Sequence, residues 1–79
     1  MTTCCIFGLG YIGLPTAAIL ARVGHRVIGV DVNAQVVETV NQGQIHIVEP
    51  DLDQAVADVV ASGALSAQLT PQPADVFLI

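Results

Sequence analysis

Apolar residues recur along the chain with two different spacings, and the change of spacing predicts a series of strands and helices. Residues 3–8, TCCIFG, form a short apolar run that ends at glycine, which is typical of a fully buried strand. Residues 12–23 then show helical spacing, with Pro15 in the first turn, where a missing N–H is tolerated. Because this segment is apolar on nearly all sides, we expect a well-buried helix. Its apolar side chains include Leu14, Ala17, Ala18 and Ala21 on one face and Ile12, Ile19 and Val23 on others.

The middle of the chain repeats the order of strand and helix. Residues 25–31, HRVIGVD, predict a second strand. Asn33 is a suitable N-cap for a second helix, which ends at Gly43. The valines that we expect to face the core from this helix are Val36, Val37 and Val40. Residues 44–50, QIHIVEP, predict a connecting loop or a short extended piece.

One helix and two strands are predicted in the remaining part. Residues 51–62 carry an apolar stripe at helical spacing, and Asp51 and Asp53 suit the positive end of such a helix. Residues 65–70, LSAQLT, predict a short strand, and residues 74–79, ADVFLI, predict a further buried strand.

This order of elements predicts an α/β fold. Strands that alternate with helices favour a parallel sheet covered on both faces. Since crossovers between parallel strands are right-handed, few topologies remain. We expect a doubly wound parallel sheet with the strand order 3-2-1-4.

Length and composition indicate a piece of a larger core. The chain has 79 residues, of which 53% are hydrophobic and 11% are charged. A chain of this length holds one small domain at most, and it is too apolar to be disordered. Since free-standing small domains are rarely so apolar, we expect residues 1–79 to be a fragment of a longer polypeptide.

Charge and cysteine usage exclude several classes of protein. The net charge is −5, and Arg22 and Arg26 are the cationic side chains, so neither nucleic acid nor an anionic membrane is an expected partner. The start of the chain has no basic segment typical of a signal peptide, and its glycines and proline disfavour a membrane span. Cys4 and Cys5 would point to opposite faces of a strand, which predicts buried, reduced thiols in a cytoplasmic protein.

Three glycines follow the first predicted strand with the spacing G-x-G-x-x-G. Gly8 permits a tight turn, Gly10 lets the backbone approach a pyrophosphate, and Gly13 lets the helix pack close to the strand. The pattern alone is weak, but here it leaves a predicted strand and opens a predicted helix, as the dinucleotide-binding fingerprint requires. The free N–H groups at the start of that helix favour an anion.

Asp31 is the second element of the predicted dinucleotide site. It stands at the carboxyl end of the second predicted strand, 18 residues after Gly13. A carboxylate there accepts hydrogen bonds from the adenosine ribose hydroxyls and repels a 2′-phosphate. Arg26 lies five residues earlier, about 17 Å along an extended strand. The sequence therefore predicts NAD rather than NADP; the alternative is a turn and a strand end without a ligand.

The segments GLGYIGLPTAAILA, VIGVDVN and GQIHIVEPDL together resemble the NAD-binding amino-terminal part of the UDP-glucose/GDP-mannose dehydrogenase family. The resemblance runs from about residue 4 to residue 79. Within this family, IHIVEPDL looks most like the UDP-N-acetyl-D-mannosamine dehydrogenases. The resemblance implies a Rossmann domain, of which residues 1–79 would be the N-terminal portion, without the substrate and C-terminal domains.

The resemblance also implies an activity and a set of binding residues. Enzymes of this family oxidise the C6 alcohol of a nucleotide sugar to a carboxylate and reduce two NAD. By the same matching, Tyr11 and Ile12 border the cofactor through their backbone, although a packing role for Tyr11 remains open. The family's catalytic cysteine and lysine have no match here, because Cys4 and Cys5 precede the glycine loop and the sequence has no lysine. The resemblance to this family further implies a UDP-sugar substrate and a homo-oligomeric protein.

Other interpretations remain open at this point. They are a UDP-glucose type of dehydrogenase, a 3-hydroxyacid dehydrogenase with a similar glycine loop, and a nucleotide-binding module without catalysis. His46 stands near Glu49, Asp51 and Asp53, but without zinc-like spacing, so we expect no metal site. We expect His46 to pack at a domain edge or subunit contact, and His25 to be structural.

Overall fold

The predicted strands and helices all form, each within two residues of its predicted bounds. The computed structural model describes residues 2–79. The strands are β1 (Thr3–Phe7), β2 (Arg26–Val30), β3 (Leu65–Gln68) and β4 (Val76–Leu78), and the helices are α1 (Gly13–Arg22), α2 (Ala34–Asn41) and α3 (Leu52–Ala61). Each helix is followed two residues later by a glycine with positive φ, and the helix end predicted at Gly43 is confirmed; the other two glycines are Gly24 and Gly63.

The four strands form one parallel sheet in the order β3-β2-β1-β4, which confirms the predicted class and topology. In the register, Cys5 lies beside Ile28, and Val27 lies beside Leu65. β1 and β2 are therefore the central strands, and their carboxyl ends meet at one edge of the sheet.

The two faces of the sheet carry separate apolar clusters. Cys4 and Ile6 belong to the larger cluster, which β1 shares with the helices. Cys5 belongs to the smaller cluster on the opposite face, together with Ile28 and Val30. Both cysteines are buried free thiols on opposite faces of β1, as the alternation of side chains in a strand predicts.

The cover of the sheet differs from the prediction. Within residues 2–79, α1, α2 and α3 all contribute to the larger cluster, so the helices lie on one face. Residues 69–75 connect β3 to β4 without a helix, and Ala74 packs against the smaller cluster. The helices lie on one face because the right-handed connections from β1 to β2 and from β2 to β3 run in the same direction across the sheet. The connection from β3 to β4 runs in the opposite direction and therefore crosses the other face.

The predicted burial of α1 on all sides is wrong. Leu14, Ala17, Ala18 and Ala21 are buried as expected. Ile12, Ile19 and Val23 are instead 83%, 61% and 67% exposed. Among residues 2–79, α1 packs on the sheet and on α3 with one face only, so its apolar residues on the outer side have no partner there.

The prediction of a buried strand over residues 74–79 is also wrong. β4 is limited to Val76–Leu78, and its three residues are 40%, 51% and 36% exposed. Within residues 2–79, β4 lies at the edge of the sheet and pairs with β1 alone. An apolar run predicts that a strand forms, but burial also requires neighbours on its faces and outer side.

Asparagine side chains form hydrogen bonds at both ends of α2. Asn33 Oδ1 accepts a hydrogen bond from the Gln35 N–H at 2.9 Å, which confirms Asn33 as the N-cap of α2. At the other end of α2, Asn41 Nδ2 donates to the Ala67 carbonyl, and Asn41 Oδ1 accepts from the Ala67 N–H, both at 2.8 Å. Since β3 pairs only with β2 in the described part of the chain, Asn41 occupies hydrogen-bonding positions on the outer edge of the sheet.

None of the helices within residues 2–79 combines the length and the apolar character needed to cross a bilayer.

Candidate functional site

The glycine loop connects the carboxyl end of β1 to the first turn of α1. Gly8 has a φ of +91°, a conformation that favours glycine. Its N–H donates a hydrogen bond of 2.7 Å to the Val30 carbonyl at the end of β2. The loop therefore leaves the sheet tied to the neighbouring strand, which agrees with the tight turn predicted at Gly8.

Gly13 allows the first turn of α1 to lie directly against the end of β1. A Cβ atom at this position would overlap the carbonyl oxygen of Gly8 and would lie 3.6 Å from Ile6 Cγ2. No side chain fits between these backbones. The close helix–strand contact predicted for the third glycine is therefore present.

The environment of Gly10 is more open than that of Gly13. A Cβ atom there would have no heavy atom within 4 Å, so the backbone at Gly10 faces open space. The N–H groups of Gly10, Tyr11 and Ile12 have no acceptor among residues 2–79. Free N–H groups at the positive end of a helix attract an anion, so this part of the loop is suited to a phosphate.

A cavity of about 620 Å³ lies beside the glycine loop. Tyr11, Ile12 and Thr16 line it from the side of α1, and Leu78 and Ile79 line it from the side of β4. Tyr11 is 65% exposed, so its ring is not packed into the core of residues 2–79. The predicted cofactor-binding glycines and both predicted loop residues thus border one space.

Asp31 stands directly after β2, at the same edge of the sheet, and is partly buried. Its Oδ2 accepts a hydrogen bond from the Leu9 N–H at 3.0 Å, and its Oδ1 accepts one from the Asn33 N–H at 3.0 Å. An ionised carboxylate offers about four lone-pair positions, so each oxygen keeps acceptor capacity for a further donor. Asp31 is thereby oriented by the protein and still able to bind a ligand.

These bonds also stabilise the charge of Asp31. The Leu9 N–H, and next the Asn33 N–H, hold the pKa of the Asp31 carboxyl below its usual range. Partial burial acts in the opposite direction, and the charge of His46 adds a smaller lowering of this pKa. Asp31 is therefore an anion at neutral pH.

The cations lie away from Asp31. Arg26 opens β2, whereas Asp31 follows its other end, and Arg22 is the last residue of α1. Both arginines are exposed. No cationic side chain of β2 or α1 thus stands beside Asp31 to bind a 2′-phosphate.

Sequence reasoning missed Leu9 and Gly29, two residues that hold Asp31 and the glycine loop together. Leu9 is fully buried, and a Cβ atom on Gly29 would lie 2.6 Å from Leu9 Cδ2. One signal for this contact was available, because a glycine inside a strand often marks a close approach of another group.

His46 is exposed within residues 2–79, and its presence contributes to the lowered pKa of the Asp31 carboxyl. Its packing at a domain edge or subunit contact stays a prediction, because such a contact would involve protein outside these residues. Its neighbour Ile47 is buried in the larger cluster and anchors the loop between α2 and α3. The part of the chain that the structure describes holds no group of three or more His, Cys, Asp or Glu side chains suited to a metal ion.

Residues 2–79 match the UDP-glucose/GDP-mannose dehydrogenase family, NAD binding domain. The chain is 61% identical to the UDP-N-acetyl-D-mannosamine dehydrogenase of Yersinia pestis and 58% identical to the NDP-N-acetyl-D-galactosaminuronic acid dehydrogenase of Ralstonia nicotianae, over 77 residues in each case. Both alignments cover 98% of this chain and 18% of the relative.

A solved structure gives the same result for the fold. The UDP-N-acetyl-mannosamine dehydrogenase of Staphylococcus aureus superposes with a TM-score of 0.93 at 43% identity, over 96% of this chain and 18% of that one. The chain thus spans less than a fifth of the length of the curated relatives it matches.

Proposed function

Because the chain belongs to the UDP-glucose/GDP-mannose dehydrogenase family, whose NAD binding domain it matches over residues 2–79, we propose that it binds NAD as the N-terminal portion of a nucleotide-sugar dehydrogenase. One observation carries this proposal. Free N–H groups beside Gly10 and the oriented carboxylate of Asp31 lie on two adjacent strand ends, joined by the Leu9–Asp31 hydrogen bond.

The glycine loop binds the pyrophosphate of NAD. The N–H groups of Gly10, Tyr11 and Ile12 have no acceptor within residues 2–79 and can donate to a ligand, and the positive end of α1 adds a favourable potential. Since Gly10 has no side chain and open space before it, the phosphate oxygens can reach these N–H groups.

Asp31 binds the adenosine ribose. Leu9 and Asn33 each use one acceptor position of the carboxylate, which leaves room on both oxygens for the two hydroxyls of a sugar diol. A phosphate on the 2′ position would meet a negative charge at close range without a neighbouring arginine. NAD is therefore preferred to NADP.

The whole protein is an NAD-dependent oxidoreductase in this proposal. NAD accepts a hydride from the substrate when it is bound. The glycine loop and Asp31 hold and orient the cofactor, and Cys4 and Cys5 take no part because both are buried in β1. The sequence contains no lysine, so a cysteine–lysine catalytic pair belongs to residues outside 1–79.

The proposed substrate is UDP-N-acetylmannosamine, which is oxidised to UDP-N-acetylmannosaminuronate with two NAD. The 61% identity to the Yersinia pestis enzyme supports this choice. The 58% identity to the Ralstonia nicotianae enzyme favours, as a second candidate, the sugar nucleotide on which that enzyme acts. We further propose that the protein is a cytoplasmic homo-oligomer; its two buried free thiols support a reducing compartment.

Cofactor titration tests the binding part of the proposal. We expect NAD to bind at least tenfold more tightly than NADP, and the variant Asp31→Asn to reduce or abolish this preference. Asp53→Asn removes one exposed negative charge in the first turn of α3 and serves as the matched control. Equal affinity of the unchanged protein for NAD and NADP would contradict the role of Asp31.

A substrate assay tests the reaction. The whole protein, with the residues outside 1–79 that supply the catalytic pair, is incubated with NAD and UDP-N-acetylmannosamine, and the NADH formed per sugar is measured. Two NADH per sugar support the proposal, and their formation only with an N-acetylgalactosamine nucleotide would favour the second candidate. Cofactor binding without oxidation of either sugar would indicate a nucleotide-binding protein of another kind.

A further inference from the structure

Leu9 is an unusual member of the glycine loop because its side chain is fully buried. The side chain packs onto the backbone of Gly29 in β2. A Cβ atom on Gly29 would lie 2.6 Å from Leu9 Cδ2 and 2.9 Å from Leu9 Cδ1. Real Cβ atoms do not come so close to other carbons, so the absence of a side chain at position 29 creates the seat for Leu9.

The backbone of the same residue holds Asp31. The Leu9 N–H donates to Asp31 Oδ2 at 3.0 Å, and Asp31 lies two residues after Gly29, directly beyond the end of β2. The second bond to the carboxylate comes from Asn33, which is only two residues further along the chain and moves with it. Within residues 2–79, the Leu9 N–H therefore donates the hydrogen bond that joins the Asp31 side chain to the glycine loop.

This link matters for a ligand that contacts both groups. In a dinucleotide a short covalent linkage joins the pyrophosphate to the adenosine ribose, so the distance between the two groups varies only over a limited range. The loop N–H groups and the Asp31 carboxylate must then keep a matching separation before the ligand arrives. A preformed site avoids the entropy cost of ordering a carboxylate and a loop during binding.

We propose that Leu9 and Gly29 form a positioning pair: the seat on Gly29 fixes Leu9, and the Leu9 N–H fixes Asp31 for the adenosine ribose hydroxyls. This inference rests on the proposed function, since it makes the pair responsible for how strongly the NAD site depends on the adenosine ribose hydroxyls. Neither residue needs to touch the cofactor, because both act through the Asp31 carboxylate.

The test compares two cofactors in one set of variants. The protein is titrated with NAD and with its analogue that carries 2′-deoxyadenosine, and the ratio of the two affinities is the measurement. Gly29→Ala displaces Leu9, so we expect NAD to bind about tenfold more weakly and the analogue no more than about twofold. The ratio would thus fall about fivefold.

Two further variants separate positioning from general damage. The double variant Gly29→Ala/Leu9→Ala removes the clashing Cδ atoms, and we expect it to recover part of the lost ratio. Leu65→Ala truncates another buried leucine, on β3. It serves as the matched control, which lowers the unfolding temperature but leaves the ratio unchanged. If Gly29→Ala does not fold, Leu9→Val removes the same contact without adding atoms, and a threefold fall of the ratio is expected.

The outcomes are distinct. An equal loss of affinity for both cofactors in Gly29→Ala and Leu9→Val would overturn the inference, because a purely structural role weakens both ligands alike. If the unchanged protein binds NAD and distinguishes the analogue while the variants keep its ratio, the inference fails and the proposed function stands. If the unchanged protein does not bind NAD, both fail.

Discussion

The carbonyl oxygen of Gly8 occupies the space that a side chain on Gly13 would need. These two glycines are five residues apart in the sequence, and their backbones touch because α1 begins directly over the end of β1. The contact brings the positive end of α1 to the carboxyl edge of the sheet. It therefore sets where an anion can bind relative to Asp31, which follows the next strand.

Gly13→Ala is expected to destabilise the protein by about 3 kcal/mol, because the added Cβ overlaps backbone atoms that cannot rotate away. The measurement is urea-induced unfolding followed by circular dichroism. A change of less than about 1 kcal/mol would show that α1 can shift without cost, and it would contradict the close helix–strand contact.

Gly10→Ala is expected to leave stability nearly unchanged and to weaken NAD binding, and it serves as the comparison for Gly13→Ala. The added Cβ has no heavy atom within 4 Å, and Gly10 does not have positive φ, so stability should change by no more than about 0.5 kcal/mol. The same Cβ would stand where phosphate oxygens approach, and we expect a roughly tenfold higher Kd for NAD by isothermal titration. Unchanged affinity would exclude Gly10 from the pyrophosphate site.

The stability of the protein is expected to depend on the ionisation of Asp31 in acid. Hydrogen bonds from Leu9, and next from Asn33, lower the pKa of the folded carboxyl, so the unfolded chain binds a proton at higher pH than the folded protein. The resulting stabilisation is present above the unfolded pKa of about 3.9 and is lost as the pH falls through the lowered folded value.

The measurement is the difference in unfolding free energy between the unchanged protein and Asp31→Asn, taken from pH 7 to pH 3. The other acidic groups are common to both proteins, so their titration largely cancels in the difference. We expect the advantage of the unchanged protein to shrink below about pH 4. A difference that stays constant with pH would show that the carboxylate charge is not stabilised by these N–H groups.

Asn41→Ala is expected to cost about 2 kcal/mol, since it removes two hydrogen bonds of 2.8 Å to the outer edge of β3. Gln42→Ala, at an exposed neighbouring position, is the control and should change stability by less than about 0.5 kcal/mol. Hydrogen exchange at Ala67 provides the local readout, because its N–H donates to Asn41 Oδ1. Equal protection of Ala67 in both variants would argue against this role of Asn41.

Local patterns in the sequence were enough to predict the elements and much of the candidate site. The cap at Asn33 and the positive φ at Gly8 follow from the conformational preferences of single residues, and both are present. Cys4 and Cys5 point to opposite faces because a strand has a period of two. The close contact at Gly13 could also be predicted, because the G-x-G-x-x-G motif implies a helix packed on a strand.

Other features depended on residues distant in the sequence. Nothing in the run around Leu9 indicates that its side chain would occupy the space above Gly29 or that its N–H would hold Asp31, 22 residues later. His46 was also not expected to influence that carboxyl, because loop residues reach their neighbours only after the helices have packed.

The sequence by itself determined the order of strands and helices, the glycine turn and the acid after β2, because periodicity, capping and backbone conformation act over a few residues. Tertiary structure decided how far the other apolar residues are buried, since Ile19 of α1 and Phe77 of β4 remain exposed within residues 2–79. It also decided how the glycine loop and Asp31 are held together. Burial and hydrogen bonding between distant residues depend on which surfaces meet, and a one-dimensional pattern does not contain that information.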